Sequence, residues 1–288
     1  MTVIAEIPYK DGVLIVADSR ATLATPLFVN YIDDEQKVYV APDKEVTVAI
    51  AGSAVLGKDT AKALIKCKSL LQQYCMAKDN SQEKQNLEDT IAYVLNGASK
   101  DGNVGFSGLL VSVRLPDNTT KIFTIWVGAL GTGTARDVRF VQDSKNDALG
   151  VDRTVPIYLN DLVKQNCPDK DKRDLADAMA IAFMLEDAYM EEHYPIKNGL
   201  KKIYGVGGAI RAHAMNNTGD QIDILINKSG RKQIENKSYS ELKQFFAEKL
   251  AEAERQKAAQ TASQTAAADL LRTGNEDKEA ENKTKSKS

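Results

Sequence analysis

The opening of the chain limits its fold more than any other stretch. Two short apolar runs, Val3-Ile4-Ala5 and Val13-Leu14-Ile15-Val16, flank the polar break Lys10-Asp11-Gly12. An Asp-Gly pair between strand-like runs predicts a tight turn, with glycine accepting a positive φ at no steric cost. The chain is therefore expected to start as a β-hairpin, with only Met1 ahead of Thr2. Initiator methionine is commonly trimmed before a small side chain, and its removal would leave Thr2 as a free N-terminus. An α-amine titrates near ~8 and can serve as the general base for the hydroxyl of its own residue. Many chains begin Met-Thr with no such chemistry, so the argument turns on what the fold brings beside Thr2.

The second strand runs into Ala17-Asp18-Ser19-Arg20-Ala21-Thr22. An antiparallel return carries that end back beside the start of the first strand, and the period of two sends Asp18 and Arg20 the same way. Lys37 heads another strand-like run, Lys37-Val38-Tyr39-Val40, and the apolar run Val46 to Ala51 reads as a central strand. A lysine beside the threonine hydroxyl and held by an aspartate would favour the alkoxide. Ala51-Gly52-Ser53-Ala54 then passes from strand to helix. Gly52 there lets a ligand approach the backbone, and Ser53 is expected to cap the helix. A simple turn glycine is the plain alternative.

Thr2, the stretch from Gly12-Val13 to Thr22, Lys37-Val38 and Ala51-Gly52-Ser53 together resemble the β-type subunits of the proteasome and the simpler bacterial peptidase rings. These are N-terminal-nucleophile hydrolases of the threonine type. The resemblance is specific over roughly the first quarter of the chain. It implies that Thr2 is the nucleophile, that Asp18 and Lys37 form its charged support, and that the Gly52 N–H stabilises the oxyanion. Arg20 would buttress Asp18, with Ser53 in support. Gly131-Thr132-Gly133-Thr134 resembles the family's Gly-Ser-Gly-Ser segment, which gives Thr132 the task of ordering the nucleophile's amine. One departure stands out: the family's Asp and Ser before its Gly-Gly pair align with Ile203 and Val206. Either this subunit is weak or inactive, or a nearby polar group such as Asn198 or Tyr204 supplies the contact.

Composition removes several other classes. A net charge of −2 over 288 residues leaves no basic footprint for nucleic acid or anionic lipid. No apolar run approaches a membrane span and no signal-peptide pattern opens the chain, so a cytoplasmic protein is the expectation. Cys67, Cys75 and Cys167 are too few and scattered for a disulfide framework. Cys67 and Cys75 read as small buried hydrophobes. His193 and His213 lie far apart with no ligand-spaced partners, so neither a Ser-His-Asp triad nor a zinc site is indicated. No metal or organic cofactor is implied.

Beyond the first strands, helical spacing is expected over 54–77 and 87–98, strands over 106–115 and 121–127, and helices over 151–163 and 171–192. Glu186, Asp187, Glu191 and Glu192 on the last of these read as a solvated acidic face. Strands flank the turn Asn217 to Asp220, and a final helix starts at Ser238-Tyr239-Ser240-Glu241, with Leu242, Phe245, Phe246 and Leu250 inward. This order predicts an α+β fold, a four-layer αββα sandwich of two antiparallel sheets. Residues 2–237 would form the catalytic domain, and 238–288 a C-terminal helix and polar, partly disordered tail.

The function expected on this basis is that of a threonine-type endopeptidase acting on peptides or unfolded proteins. Assembly into a homo-oligomeric ring or helical stack, and feeding by an unfolding ATPase, follow from the resemblance alone. A catalytically inactive scaffold on the same fold and a small-molecule amidohydrolase remain the alternatives.

Overall fold

The opening hairpin forms where the apolar runs place it. Strands β1 (Ile4–Tyr9) and β2 (Gly12–Asp18) pair antiparallel, from Ile4 opposite Ala17 to Tyr9 opposite Gly12. Gly12 is not needed for a positive φ: that region holds Gly52, Gly105 and Gly208 among the described glycines. It is needed because a Cβ there would stand 2.1 Å from the Met215 carbonyl oxygen of the neighbouring strand. Close backbone approach, rather than turn geometry, selects this glycine.

A computed structural model of the chain describes residues 2–24, 29–98, 105–129, 136–141, 147–150, 154–190, 206–218, 221–256 and 258–259. The chain divides into two compact units, Met1–Lys243 and Gln244–Ser288. In the first, β1 and β2 are the centre of a five-stranded sheet. It is completed by β10 (Asp147–Leu149) beside β1, then β11 (Ile210–Asn216) and β12 (Gln221–Ile226) beyond β2. A second five-stranded sheet runs in the order β5 (Val38–Val40), β6 (Val46–Gly52), β7 (Gly105–Arg114), β8 (Thr120–Ala129) and β9 (Arg136–Val141). Among the described residues, strands β3 (Ala21–Ala24) and β4 (Val29–Ile32) pair only with each other. All pairings between the described strands are antiparallel.

The two sheets face one another through Ile4, Ile15, Ala17, Ala49, Leu110 and Leu149. Ser112 on β7 also donates across the interface to buried Glu6 on β1, at 2.7 Å. The period of two turns Val46, Val48, Ile50, Leu109, Val111 and Val113 the other way. There they meet Leu56 and Leu64 of α1 (Ala54–Lys66), Leu71 of α2 (Lys68–Met76) and Ile91 and Leu95 of α3 (Gln82–Ala98). The predicted 54–77 helix breaks at Cys67, and Cys67 and Cys75 are half-buried. On the far face of the first sheet, α4 (Thr154–Asn166) packs by β10, and α5 (Leu175–Ala188) lies across β1, β2 and β11. The architecture is a four-layer αββα sandwich of two antiparallel sheets, as the element order predicts.

Helix α5 is shorter than the periodicity suggests because a reciprocal capping box stops it at Asp174. The Asp177 amide donates to the Asp174 carboxylate at 2.8 Å, and the Asp174 amide donates to Asp177 at 3.0 Å. A short α6 (Lys228–Ile234) follows β12. Ser238 and Glu241 form the expected cap, with the Ser238 amide donating to the Glu241 carboxylate at 2.8 Å. In the second unit, residues 244–256 are helical and Phe246 is buried.

One buried cation fastens the α4–α5 connection to the hairpin. Arg173 donates to the Pro8 carbonyl at 2.6 Å and to the Cys167 carbonyl at 2.8 and 3.1 Å. Arg173→Met strips those buried carbonyls of their donor and should lower the unfolding free energy by about 2–3 kcal/mol, read from urea denaturation.

Candidate active site

Strand register delivers the components. With Ile4 opposite Ala17, Val3 faces Asp18, and the Asp18 amide donates to the Val3 carbonyl at 3.3 Å. The Asp18 carboxylate then turns back on the start of the chain. Its Oδ1 accepts from the Val3 amide at 3.1 Å and from Lys37 Nζ at 2.8 Å. Its Oδ2 accepts from the amides of Arg20 at 3.1 Å and Gly207 at 3.2 Å. Four donors on one buried carboxylate leave it little freedom to turn.

Lys37 is buried as well, and its ammonium has three donors to place. One goes to Asp18 Oδ1, one to the Arg20 carbonyl at 2.6 Å, and the third to Thr2 Oγ1. The backbone of Lys37 is held in turn by the Ile50 amide, which donates to its carbonyl at 2.9 Å. Thr2, Asp18 and Lys37 are thus one hydrogen-bonded cluster. Arg20 joins it through its backbone only. Its guanidinium binds Asp33 at 2.6 and 3.2 Å, and Lys228 binds the same carboxylate at 2.5 Å. The Arg20 hydrogen bond, together with Lys228, overcomes the opposing effect of burial and brings the Asp33 carboxyl down to about 2.

Glycines 207 and 208 admit this arrangement. A Cβ on Gly207 would lie 2.5 Å from the Arg20 guanidinium carbon, and Gly208 has a φ of +76°. The Ser19 hydroxyl sits between them and the 33–35 segment, accepting from the Ala209 amide at 2.8 Å and donating to the Asp33 carbonyl.

Gly52 closes β6 with a φ of +105°, and a Cβ there would stand 2.3 Å from the Phe106 carbonyl oxygen. The position excludes any side chain. Ser53 is the first residue before α1 but does not cap it, contrary to expectation: its side chain makes no cap hydrogen bond. The Phe106 carbonyl instead takes the Ser53 amide at 2.9 Å, and Ser107 Oγ donates to the Ser53 carbonyl at 2.9 Å. Thr132, Ile203, Asn198 and Tyr204 lie outside the described residues. Val206 is buried and forms an isolated bridge with Met190.

The sequence reading missed Glu186. Far from belonging to a solvated face, it is 0 % exposed, and neither carboxyl oxygen has a hydrogen-bond partner. The signal was present in its own helix. The run from Ala176 to Phe183 is buried on all sides, so an acid one turn further on is buried too. Burial first, then the charge of nearby Asp18, pushes the Glu186 carboxyl well above the usual carboxylate range; Lys37 and Arg231 act the other way. A carboxyl raised in the folded state costs stability once the unfolded chain ionises, above about pH 4.3. Glu186→Gln should therefore melt close to wild type at pH 4 and progressively above it as the pH rises, in parallel thermal scans. A constant offset across that range would contradict a raised Glu186 carboxyl.

Among the described residues no group of three or more His, Cys, Asp or Glu could hold a metal ion. No helix among them is long and apolar enough to cross a membrane.

Comparison with known proteins adds little chemistry. No family model matches the chain, and no curated protein does. This overturns the placement among proteasome β-type subunits and bacterial proteasome-like peptidases suggested by the motifs up to Ser53. Thr2, Asp18, Lys37 and Gly52 are a few positions in one short stretch, too few to define a family across 288 residues. Among solved structures, the chain is similar to an Anbu (Gly-1) mutant from Hyphomicrobium sp. strain MC1. Identity is 12 %, the match covers 89 % of this chain and 99 % of that one, and the TM-score is 0.49. A likeness at that level carries no conclusion about activity.

Proposed function

We propose that this protein is a hydrolase of amide bonds whose nucleophile is Thr2, exposed as the N-terminal residue by removal of Met1. The observation that carries the reading is a single contact: buried Lys37 donates to Thr2 Oγ1 while Asp18 Oδ1 holds it from the other side at 2.8 Å. A fixed ammonium at a hydroxyl oxygen stabilises the alkoxide, which is what a weak alcohol nucleophile needs.

The steps follow from those groups. Thr2 Oγ attacks the amide carbonyl as the free α-amine of Thr2 takes the hydroxyl proton. The Lys37 ammonium balances the charge at Oγ, and the Gly52 N–H is assigned to the developing oxyanion. The amine then passes its proton to the leaving nitrogen as the C–N bond breaks, leaving an ester on Thr2. Water, deprotonated by the same amine, hydrolyses that ester and restores the hydroxyl. Peptide substrates fit best with a threonine-type peptidase.

Purified enzyme and a short peptide bearing a fluorogenic amide provide the test. Thr2→Ala should abolish turnover with an unchanged elution profile, and Lys37→Met should lower kcat/KM by about 10²-fold or more. Hydrolysis by Thr2→Ala at the wild-type rate would remove Thr2 from the mechanism. No turnover by wild type with Met1 removed would favour an inactive scaffold. In active enzyme, the acid limb of kcat/KM should follow an α-amine titrating near ~8, because the protonated amine cannot act as base. A rate independent of pH between 6 and 9 would contradict an amine base.

A further inference from the structure

Away from the Thr2 cluster, the space between the two sheets opens at their edges, where β5 meets β11 and β12. A cavity of about 350 Å³ lies there, lined by Gln36, Val38 and Val40 on one side and Arg211, His213 and Leu225 among others on the other. The strand register explains the lining. His213 pairs with Ile15, which faces the opposite sheet, so His213 shares that face; Arg211, two residues earlier, does likewise. Their partners across β12 are Asp223 and Leu225.

Two nitrogens in this lining lack partners. His213 is 3 % exposed, and its Nδ1 is 2.6 Å from Asp223 Oδ1. That contact makes Nδ1–H the donor and fixes the ring, leaving Nε2 buried with no hydrogen-bond partner. Arg211 Nε is buried and unpartnered too, and Arg211 has no ion pair among the described residues. Orphaned buried polar atoms are uncommon because each forfeits its hydration without replacement. A guanidinium nitrogen and an imidazole nitrogen without partners, lining a cavity that also holds Val38, Val40, Leu225, Gln36 and the Asp223 carboxylate bound to the ring, describe a site lacking its ligand.

We infer that this cavity binds a small monocarboxylate with a branched apolar body, its carboxylate on Arg211 and His213 and its body between Val38, Val40 and Leu225. A planar carboxylate accepts from the guanidinium N–H groups and, with the ring as an imidazolium whose Nδ1–H goes to Asp223 and Nε2–H to the ligand, from the imidazole at the same time. The cavity is large enough for a five- or six-carbon acid. Gln36 and Val38 flank Lys37 in sequence, so the site borders the segment that carries the proposed catalytic lysine.

The chain has only two histidines, so ¹⁵N NMR of the imidazole rings reports on His213 directly once His193→Gln has assigned the other. The probe is isocaproate (4-methylpentanoate), with isocaproamide as the neutral control. Isocaproate should shift the His213 ring nitrogens saturably, and the amide should not. Arg211→Met should weaken the apparent affinity at least tenfold, with Arg211→Lys between it and wild type. N-acetyl-leucine binding more tightly than isocaproate would mark a peptide C-terminus as the source of the carboxylate; the reverse order would mark a free short-chain acid. No saturable His213 shift in wild type, or an equal response to acid and amide, overturns the inference. The readout is binding alone, so it stands or falls independently of Thr2 chemistry.

Discussion

The first compact unit depends on one carboxylate. Asp18 accepts from the amides of Val3, Arg20 and Gly207 and from the ammonium of Lys37, and so ties four separate stretches of chain to a single point. Such a group is costly to strip of water unless every lone pair is used, and here each oxygen takes two donors. Its ion pair with Lys37 adds less to stability than to geometry. Both partners are buried, so the ammonium has one available arrangement, and that arrangement aims a donor at Thr2 Oγ1.

The surrounding elements serve that point in different ways. The β1–β2 register sets Val3 against Asp18, and the 206–209 segment supplies an amide because Gly207 and Gly208 can pass beside Arg20 and Ser19. The β6 strand holds the backbone of Lys37 through the Ile50 amide. Glu186 is buried nearby with its carboxyl pushed upward by burial. Ionised, its charge would stand near Asp18 and oppose an alkoxide on Thr2, and burial disfavours that charged form.

Much of this was legible in the sequence, for physical reasons that can be named. Short apolar runs located β1, β2 and β6, alternation located β7 with β8 as its return, and the antiparallel pairing placed Asp18 beside the chain start. Lys37 was legible as a cation at a strand head. What sequence could not supply was the reason for particular residues. Gly12 reads as a turn glycine and proves to be a close-approach glycine, because its crowding partner, Met215, is far away in sequence on β11. Ser53 reads as a cap, but local partners occupy its backbone while its side chain makes no cap bond. Arg20 reads as a side-chain buttress, yet Asp33 captures its guanidinium. Glu186 was assigned to solvent from its acidic neighbours, when the alanine-rich turns before it pointed inward. The Asp223–His213 pair joins adjacent strands and depends on register alone.

The central claim is that Thr2 carries both nucleophile and base once Met1 is gone. Intact-mass spectrometry before and after treatment with a peptide epoxyketone tests it most directly, because that electrophile needs a hydroxyl and an amine on the same residue. The account predicts a chain lacking Met1 that gains one adduct per molecule, mapped to Thr2 by peptide fragmentation. A chain that keeps Met1, or a free Thr2 that never reacts, would contradict it.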